Sequence, residues 1–311
     1  MRGIHIHNHG LFTTIQDSGR YGFRRFGMPV SGAMDRFSLR CANLLLGNDE
    51  YAPALEATLV GPELEFLSPM HFSVTGSDFK GTLDQKNIKG WETISASKGS
   101  RLKITSIDNG VRIYIALEGG LSSEMVLNSS STYLPGKTGG YGGREIRKDD
   151  ILPVNRPRSA ILKRKKMTDR LIPSYSDEKT VRVLPGVNFN MFTGEETGTL
   201  FETVYTVTPY CDRMGLRLDG GSKLQSGKPD VISYGIHYGA IQVPGDGNPI
   251  IMGADAQTIG GYRQFANVIT SDLGAVAQMK PGDRVKFEQT ELDNAVSLLR
   301  ESERIIKDIF K

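Results

Sequence analysis

Val111-Arg-Ile-Tyr-Ile-Ala-Leu117 sets Val111, Ile113, Ile115 and Leu117 at every second position. A strand repeats its side-chain direction every two residues, so these four share one face and the stretch predicts a half-buried β-strand. Short apolar runs recur at residues 102–107, 181–184, 204–207, 241–243 and 285–287, separated by Gly, Pro, Asn or Asp. Such spacing predicts a mainly β protein. Two helices stand out against it. The first is expected to start at an N-cap, Asp35, with Phe37, Cys41, Leu44 and Leu45 at helical spacing and Gly47 as its stop. The second follows Thr290 and puts Leu292, Ala295, Val296, Leu299, Ile306 and Ile309 on one stripe, expected to pack across a sheet.

At 311 residues the chain exceeds the usual domain size of about 100 to 200 residues, so two cores are expected. The boundary falls between Asn155 and Lys179, where prolines and basic residues replace alternation. Residues 1–155 and 180–311 then form the two domains, the second with the C-terminal helix, joined by a basic linker over 156–179. The run Arg156-Pro-Arg-Ser-Ala-Ile-Leu-Lys-Arg-Lys-Lys166 is read as that solvated linker.

The formal charge of +3 is small, and its signs are otherwise interspersed, which argues against nucleic acid as a partner. No apolar run reaches 18 residues, and His5-Ile-His-Asn-His9 is no secretion leader, so a cytoplasmic protein without a membrane partner is expected. Cys41 and Cys211 stand far apart in different expected domains, which fits reduced thiols.

The stretch Gly239-Ala-Ile-Gln-Val-Pro-Gly-Asp-Gly-Asn-Pro-Ile-Ile-Met-Gly-Ala-Asp-Ala-Gln-Thr-Ile-Gly-Gly-Tyr262 interrupts short strands with turns and polar groups. Pro244 to Gly247 makes a tight turn, Gly260 and Gly261 allow backbone to approach a ligand, and Asp246, Asp255, Gln257 and Tyr262 are left at the rims. It reads as a site. With Thr14-Ile-Gln-Asp-Ser-Gly-Arg20, Gly27-Met-Pro-Val-Ser-Gly-Ala-Met-Asp35 and Asp212-Arg-Met-Gly-Leu-Arg-Leu-Asp-Gly220, it resembles the family of the bacterial 5-oxoprolinase C subunit. The wider group is the biotin-dependent carboxyltransferase-like family, or allophanate hydrolase subunit 2. It includes part of urea carboxylase and the antagonist of a sporulation-kinase inhibitor. The resemblance covers nearly the whole chain. It implies a β-barrel domain followed by a cyclophilin-like barrel, with a few helices.

Arg20, Arg24 and Arg25 lie among glycines in an irregular segment and could clamp phosphate or carboxylate through paired guanidinium donors. Asp17 either holds one of these arginines for function or belongs to a structural ion pair. Ser31 and Gly32 lead into the first helix, where backbone amides could cradle an oxyanion or phosphate. Arg213 and Arg217 fall on one face if extended, and two like charges need a counterion such as Asp255 or a bound anion.

Other patterns fail. Pro135-Gly-Lys-Thr138 resembles the end of a P-loop, but Ser131 stands where its first glycine belongs. Gly139 to Gly143 reads as a loop that could cover a ligand. His5, His7 and His9 alternate as strand-borne metal ligands would, yet a surface role is preferred and no zinc is expected. Neither Met279 nor Met167 sits in a biotin-carrier turn, so no covalently attached biotin is expected, and no nucleophile elbow is present.

Cys211, Tyr234, Tyr238 and Ala256 depart from residues common in the family, Ala256 replacing an Arg of some branches. Loss of that cation weakens a carboxybiotin-handling site and favours the oxoprolinase reading. The resemblance then implies one component of an ATP-dependent 5-oxoprolinase, using ATP with Mg and working with subunits A and B to open 5-oxoproline to glutamate. Arg20, Arg213 and Arg217 are assigned to anion binding, Asp255 and Gln257 to orienting substrate or a hydrated metal, and Tyr262 to a polar contact. Amides near Gly239, Gly260 and Gly261 would meet an oxyanion, and His237 would exchange a proton. Tyr234, Tyr238 and Tyr262 are expected to anchor a partner. The alternatives are a carboxyltransferase component acting on urea or a related amide, and a non-catalytic antagonist of a histidine-kinase inhibitor.

Overall fold

The computed structural model describes residues 2–157, 165–220 and 230–309. Contacts divide the chain into two compact units. The first comprises Met1–Tyr21, Ser31–Tyr175 and Ile305–Lys311, and the second comprises Gly22–Val30 and Ser176–Arg304.

The first unit carries β1 (Gly3–Asn8), β2 (Phe12–Gln16), α1 (Arg36–Leu45), β3 (Ala54–Thr58), β4 (Glu63–Phe66), β5 (Met70–Leu83), β6 (Lys86–Asn87), β7 (Ile94–Ala96), β8 (Arg101–Leu117) and β9 (Ile151–Pro153). These make a curled half-barrel sheet in the order β2-β3-β8-β4-β1-β9, with β5 laid along β8 and pairing β6 and β7. The stretch Val111 to Leu117 ends β8, whose first half alternates exposed and buried residues. Its second half departs from the half-buried expectation, because both faces are covered. Ile113, Ile115 and Leu117 enter the main core with Ile4, Ile6 and Phe72. Tyr114 and Ala116 meet Leu39, Ala42 and Leu46 of the α1 region.

The curl has a local cause. Gly76 of β5 adopts φ 102° where the register against β8 shifts, and a Cβ there would lie 2.4 Å from the Arg112 carbonyl oxygen. Asp35 caps α1 as expected, accepting from the Ser38 amide at 3.0 Å and the Ser38 hydroxyl at 2.6 Å. Gly47 closes it in the left-handed conformation, φ 68°, its amide donating to the Leu44 carbonyl. Part of the stretch read as linker is ordered in this unit: Met167 is fully buried in a cluster with Cys41, Trp91 and Ile306. Residues 158–164 lie outside the described residues.

The second unit carries β10 (Glu178–Pro185), α2 (Gly194–Glu202), β11 (Tyr205–Cys211), β12 (Gly215–Asp219), β13 (Asp230–Gly235), β14 (Ala240–Val243), β15 (Ile250–Met252), β16 (Ile259–Val268), α3 (Leu273–Ala277) and β17 (Arg284–Gln289), while α4 (Leu292–Ile309) ends the chain. Strands β10-β17-β11-β12-β15-β14-β16 close on themselves through β10 and β16 into a seven-stranded barrel, and β13 is appended to β16. Closure removes the edges an open sheet would expose. Val181, Val207, Leu216, Leu218, Phe265 and Phe287 are buried there. Of the α4 stripe, Ala295 and Ile306 are buried whereas Leu292 is exposed.

Helix α2 is held by a capping box: the Glu196 amide donates to the Thr193 hydroxyl at 3.2 Å, and the Thr193 amide donates to the Glu196 carboxylate at 2.8 Å. Glu196 also accepts from Arg263 of β16 at 3.0 Å, tying the helix to the strand that carries Tyr262. Thr193→Ala is expected to cost about 1 kcal/mol of stability, read from the urea midpoint, with no change in slope. No described helix is long and apolar enough to cross a membrane.

Candidate functional site

The turn between β11 and β12 decides where two arginines go. Asp212 accepts the amides of Met214 at 2.7 Å and Gly215 at 3.2 Å, an Asx turn that bends the chain before β12 begins. Arg213 is turned inward by it. Its guanidinium forks onto Asp255, Nε to Oδ2 at 2.8 Å and the second nitrogen to Oδ1 at 3.1 Å. Both residues are buried, and the Asp255 amide donates to the Arg213 carbonyl at 2.9 Å. Gly253 permits this crossing, since a Cβ there would lie 2.2 Å from the Arg213 carbonyl oxygen. Asp255 is thus the counterion of Arg213.

Arg217 has a different fate. Leu216 and Leu218 of β12 enter the core, so the alternation turns Arg217 to the exposed side. It lines a cavity of about 400 Å³ with Tyr210, Asp212, Gln242, Gln257 and Tyr262, floored by Ile250 and Met252. The pair of arginines read as one face is therefore divided, Arg213 buried and Arg217 in the cavity wall. One side of that wall is fixed by hydrogen bonds. Tyr234 donates its hydroxyl hydrogen to the Tyr262 carbonyl at 2.6 Å, and the Gln242 side-chain amide donates to the Tyr234 hydroxyl at 3.1 Å. Burial raises the Tyr234 pKa, which keeps the phenol a donor. The Arg217 cation with two carboxamides and aromatic rims suits a small polar anion, while the Asp212 carboxylate, held in its Asx turn, opposes one.

Of the residues singled out in the sequence, Arg217, Gln257 and Tyr262 share this cavity. Gly239, at φ 86°, donates its amide to the Met252 carbonyl at 2.9 Å, so that amide is already engaged. Gly260 pairs with Tyr234 across β13 and β16, and a Cβ on it would strike Ile236 at 2.2 Å. Gly261 is its neighbour in β16. His237 is exposed and donates Nδ1–H to the Tyr238 carbonyl at 2.9 Å. Tyr238 is partly buried, its hydroxyl donating to the Leu273 carbonyl. Tyr210, Asp212, Gln242, Ile250 and Met252 join the site without having been expected there. Among them only Asp212 carries a sequence signal, the turn signature of Asp212 to Gly215.

The remaining candidates lie elsewhere. Arg24 and Arg25 form a short 3-10 turn in the second unit; burial lowers the Arg24 pKa, and the Arg25 guanidinium sits 4.7 Å from the Phe26 ring centre. In the first unit Arg20 is fully buried and donates to the carbonyls of Val126 and Ser131. Asp17 accepts from the Gly19 amide at 2.8 Å, the Ser129 hydroxyl at 2.7 Å, the Ser130 amide at 2.6 Å and the Ser131 hydroxyl. That carboxylate organises a loop more than 100 residues away in sequence.

Ser31 takes φ 56° and Gly32 φ 85°, and a Cβ on Gly32 would lie 2.8 Å from the Gly19 nitrogen. The amides that follow are engaged internally: Ala33 to the Asp17 carbonyl at 2.9 Å, Met34 to Glu56 at 2.9 Å and Asp35 to the Tyr114 hydroxyl at 2.7 Å. These three are thereby withdrawn from an oxyanion cradle. The Ser31 hydroxyl is buried without a hydrogen-bond partner among the described residues.

A family model described as carboxyltransferase domain, subdomain A and B, matches residues 26–289. The chain is 37% identical over 296 residues to the 5-oxoprolinase C subunit of Haemophilus influenzae, covering 95% of this chain and 94% of that protein. It is 34% identical over 301 residues to the 5-oxoprolinase C subunit of Escherichia coli, covering 96% and 95%. The crystal structure of Kluyveromyces lactis urea carboxylase superposes with a TM-score of 0.92 at 29% identity, over 99% of this chain but only 29% of that one. By these matches the chain belongs to the carboxyltransferase-domain family, subdomains A and B, that includes the C subunit of 5-oxoprolinase.

Proposed function

We propose that the chain is the C component of an ATP-dependent 5-oxoprolinase that opens 5-oxoproline to glutamate together with subunits A and B. The observation that carries this reading is the end-to-end match to the 5-oxoprolinase C subunit, 94% of the Haemophilus influenzae protein being covered. Urea carboxylase, by contrast, is matched over less than a third of its length. The cavity agrees with a small anionic substrate. Arg217 receives the carboxylate of 5-oxoproline through paired N–H donors, and Gln257 and Tyr262 orient the ring.

A lactam carbonyl is a poor electrophile. Phosphorylating its oxygen prepares the carbon for water, and the C–N bond then breaks with a proton delivered to the ring nitrogen. In the whole reaction 5-oxoproline, ATP and two waters become glutamate, ADP and phosphate. Pro135 to Thr138 does not fit a nucleotide cradle. Tyr133 and Thr138 bond to each other across a turn there, and no described helix follows before β9. ATP with Mg is assigned to the complex, and no P-loop cradle is assigned to Pro135 to Thr138.

The test is reconstitution. The chain alone is expected to be silent, whereas mixing it with its matched subunits A and B should yield glutamate and phosphate from 5-oxoproline and ATP. Turnover by the lone chain would refute the division of labour. The likeness to urea carboxylase supports a second reading, a carboxyltransferase component acting on urea or a related amide. That activity would need a biotinylated carrier and be abolished by avidin, so avidin-insensitive ring opening excludes it.

A further inference from the structure

We propose that His5, His7 and Glu65 form a binding site for a divalent transition-metal ion on the sheet face of the first unit opposite its core. Ile4 and Ile6 are fully buried, so the alternation of β1 turns His5 and His7 to the other face. Register brings the third ligand. His5 stands directly across from Glu65 of β4, and the pairing shifts between Ile6 and Asn8, leaving His7 as the extra residue of a bulge. His7 Nε2 then reaches the Glu65 carboxylate at 3.0 Å, and the two imidazole rings lie 4.6 Å apart.

The three ligand atoms all fall within 4.8 Å of one another. Ligands about 2.1 Å from a tetrahedral ion stand about 3.4 Å apart, a closure that small side-chain rotations supply. Two imidazoles and one carboxylate are the donor set that zinc, nickel, copper and iron accept, and water completes the shell. All three residues are partly exposed, which gives the ion an entry path.

The neighbouring charges bear on the site in opposite directions. The Asp149 carboxylate lies 3.6 Å from His5 Nε2 and adds negative potential. Arg101 reaches Glu65 at 3.5 Å, but it is an exposed, long contact that costs little to release. The spacing of His5 and His7 alone favours a surface role for them, because neither Glu65 nor the bulge is visible from it.

The experiment titrates the untagged full chain with Co²⁺, followed by its visible ligand-field bands, and then displaces it with Zn²⁺. One equivalent should bind, and the melting temperature should rise with metal. His5→Gln, His7→Gln and Glu65→Gln should each weaken binding roughly tenfold or more, with unchanged circular dichroism. His71→Gln is the control, since the His71 ring pairs with Glu118 at 3.3 Å and is not part of the His5, His7 and Glu65 group, and it should leave binding as it was. A parent chain that binds no Co²⁺, or a His5→Gln, His7→Gln double variant that binds as the parent does, overturns the proposal.

Discussion

Asp255→Ala is expected to destabilise the chain by about 3–5 kcal/mol, a large part of the roughly 5–15 kcal/mol that holds a domain together. The cause is Arg213, a residue only 6% exposed, whose guanidinium donates a forked pair of hydrogen bonds to this carboxylate. Removing the acid leaves a positive charge in a poorly solvated place without its counterion. The expected result is a large fall in the urea midpoint. Asp255→Asn, which keeps an acceptor but loses the charge, should fall between. An Arg213→Met, Asp255→Leu double variant should recover much of the loss, because neither charge then needs compensation. The same measurement addresses the catalytic role that the sequence suggests for Asp255. If the midpoint is unchanged while turnover of the reconstituted complex collapses, the structural account is wrong and Asp255 acts on substrate.

The fold was legible where a signal was local. The N-cap at Asp35 needs only a carboxylate three residues before the amide it accepts, and the Gly47 stop needs only a left-handed residue after the last turn. Alternation in Val111 to Leu117 announced the strand for the same reason. It did not announce that Tyr114 and Ala116 would also be covered, since the covering helix starts some 80 residues earlier. The site was less legible because its decisive contacts are not local. Asp17 meets serines 112 to 114 residues away, and His7 meets Glu65 across a bulge. Arg213 and Arg217 have the spacing of one strand face, but the Asx turn at Asp212 rotates the first of them off that face before the strand begins. Glycine carried two meanings that sequence alone does not separate. Gly260 serves close packing against Ile236, whereas Gly239 serves a left-handed turn.

Arg217→Ala is expected to do the reverse of Asp255→Ala, removing activity and sparing the fold. Arg217 is exposed on β12 between two core leucines, so truncating it should leave stability within about 0.5 kcal/mol of the parent. Arg217 lines the cavity, and if its guanidinium holds the substrate carboxylate as proposed, losing a paired, charge-assisted contact of this kind should lower kcat/KM about a hundredfold, near 3 kcal/mol of transition-state binding. How the loss divides is informative. A contact made equally in ground and transition state raises KM and leaves kcat alone, whereas one tightened during ring opening lowers kcat as well. Arg217→Lys keeps the charge but not the fork, so it should restore only part of the rate. Kinetics of the complex rebuilt with each variant, beside its urea midpoint, separate the cases. Unchanged kinetics would remove Arg217 from the site, and a parallel fall in midpoint and rate would show that the side chain supports the barrel instead.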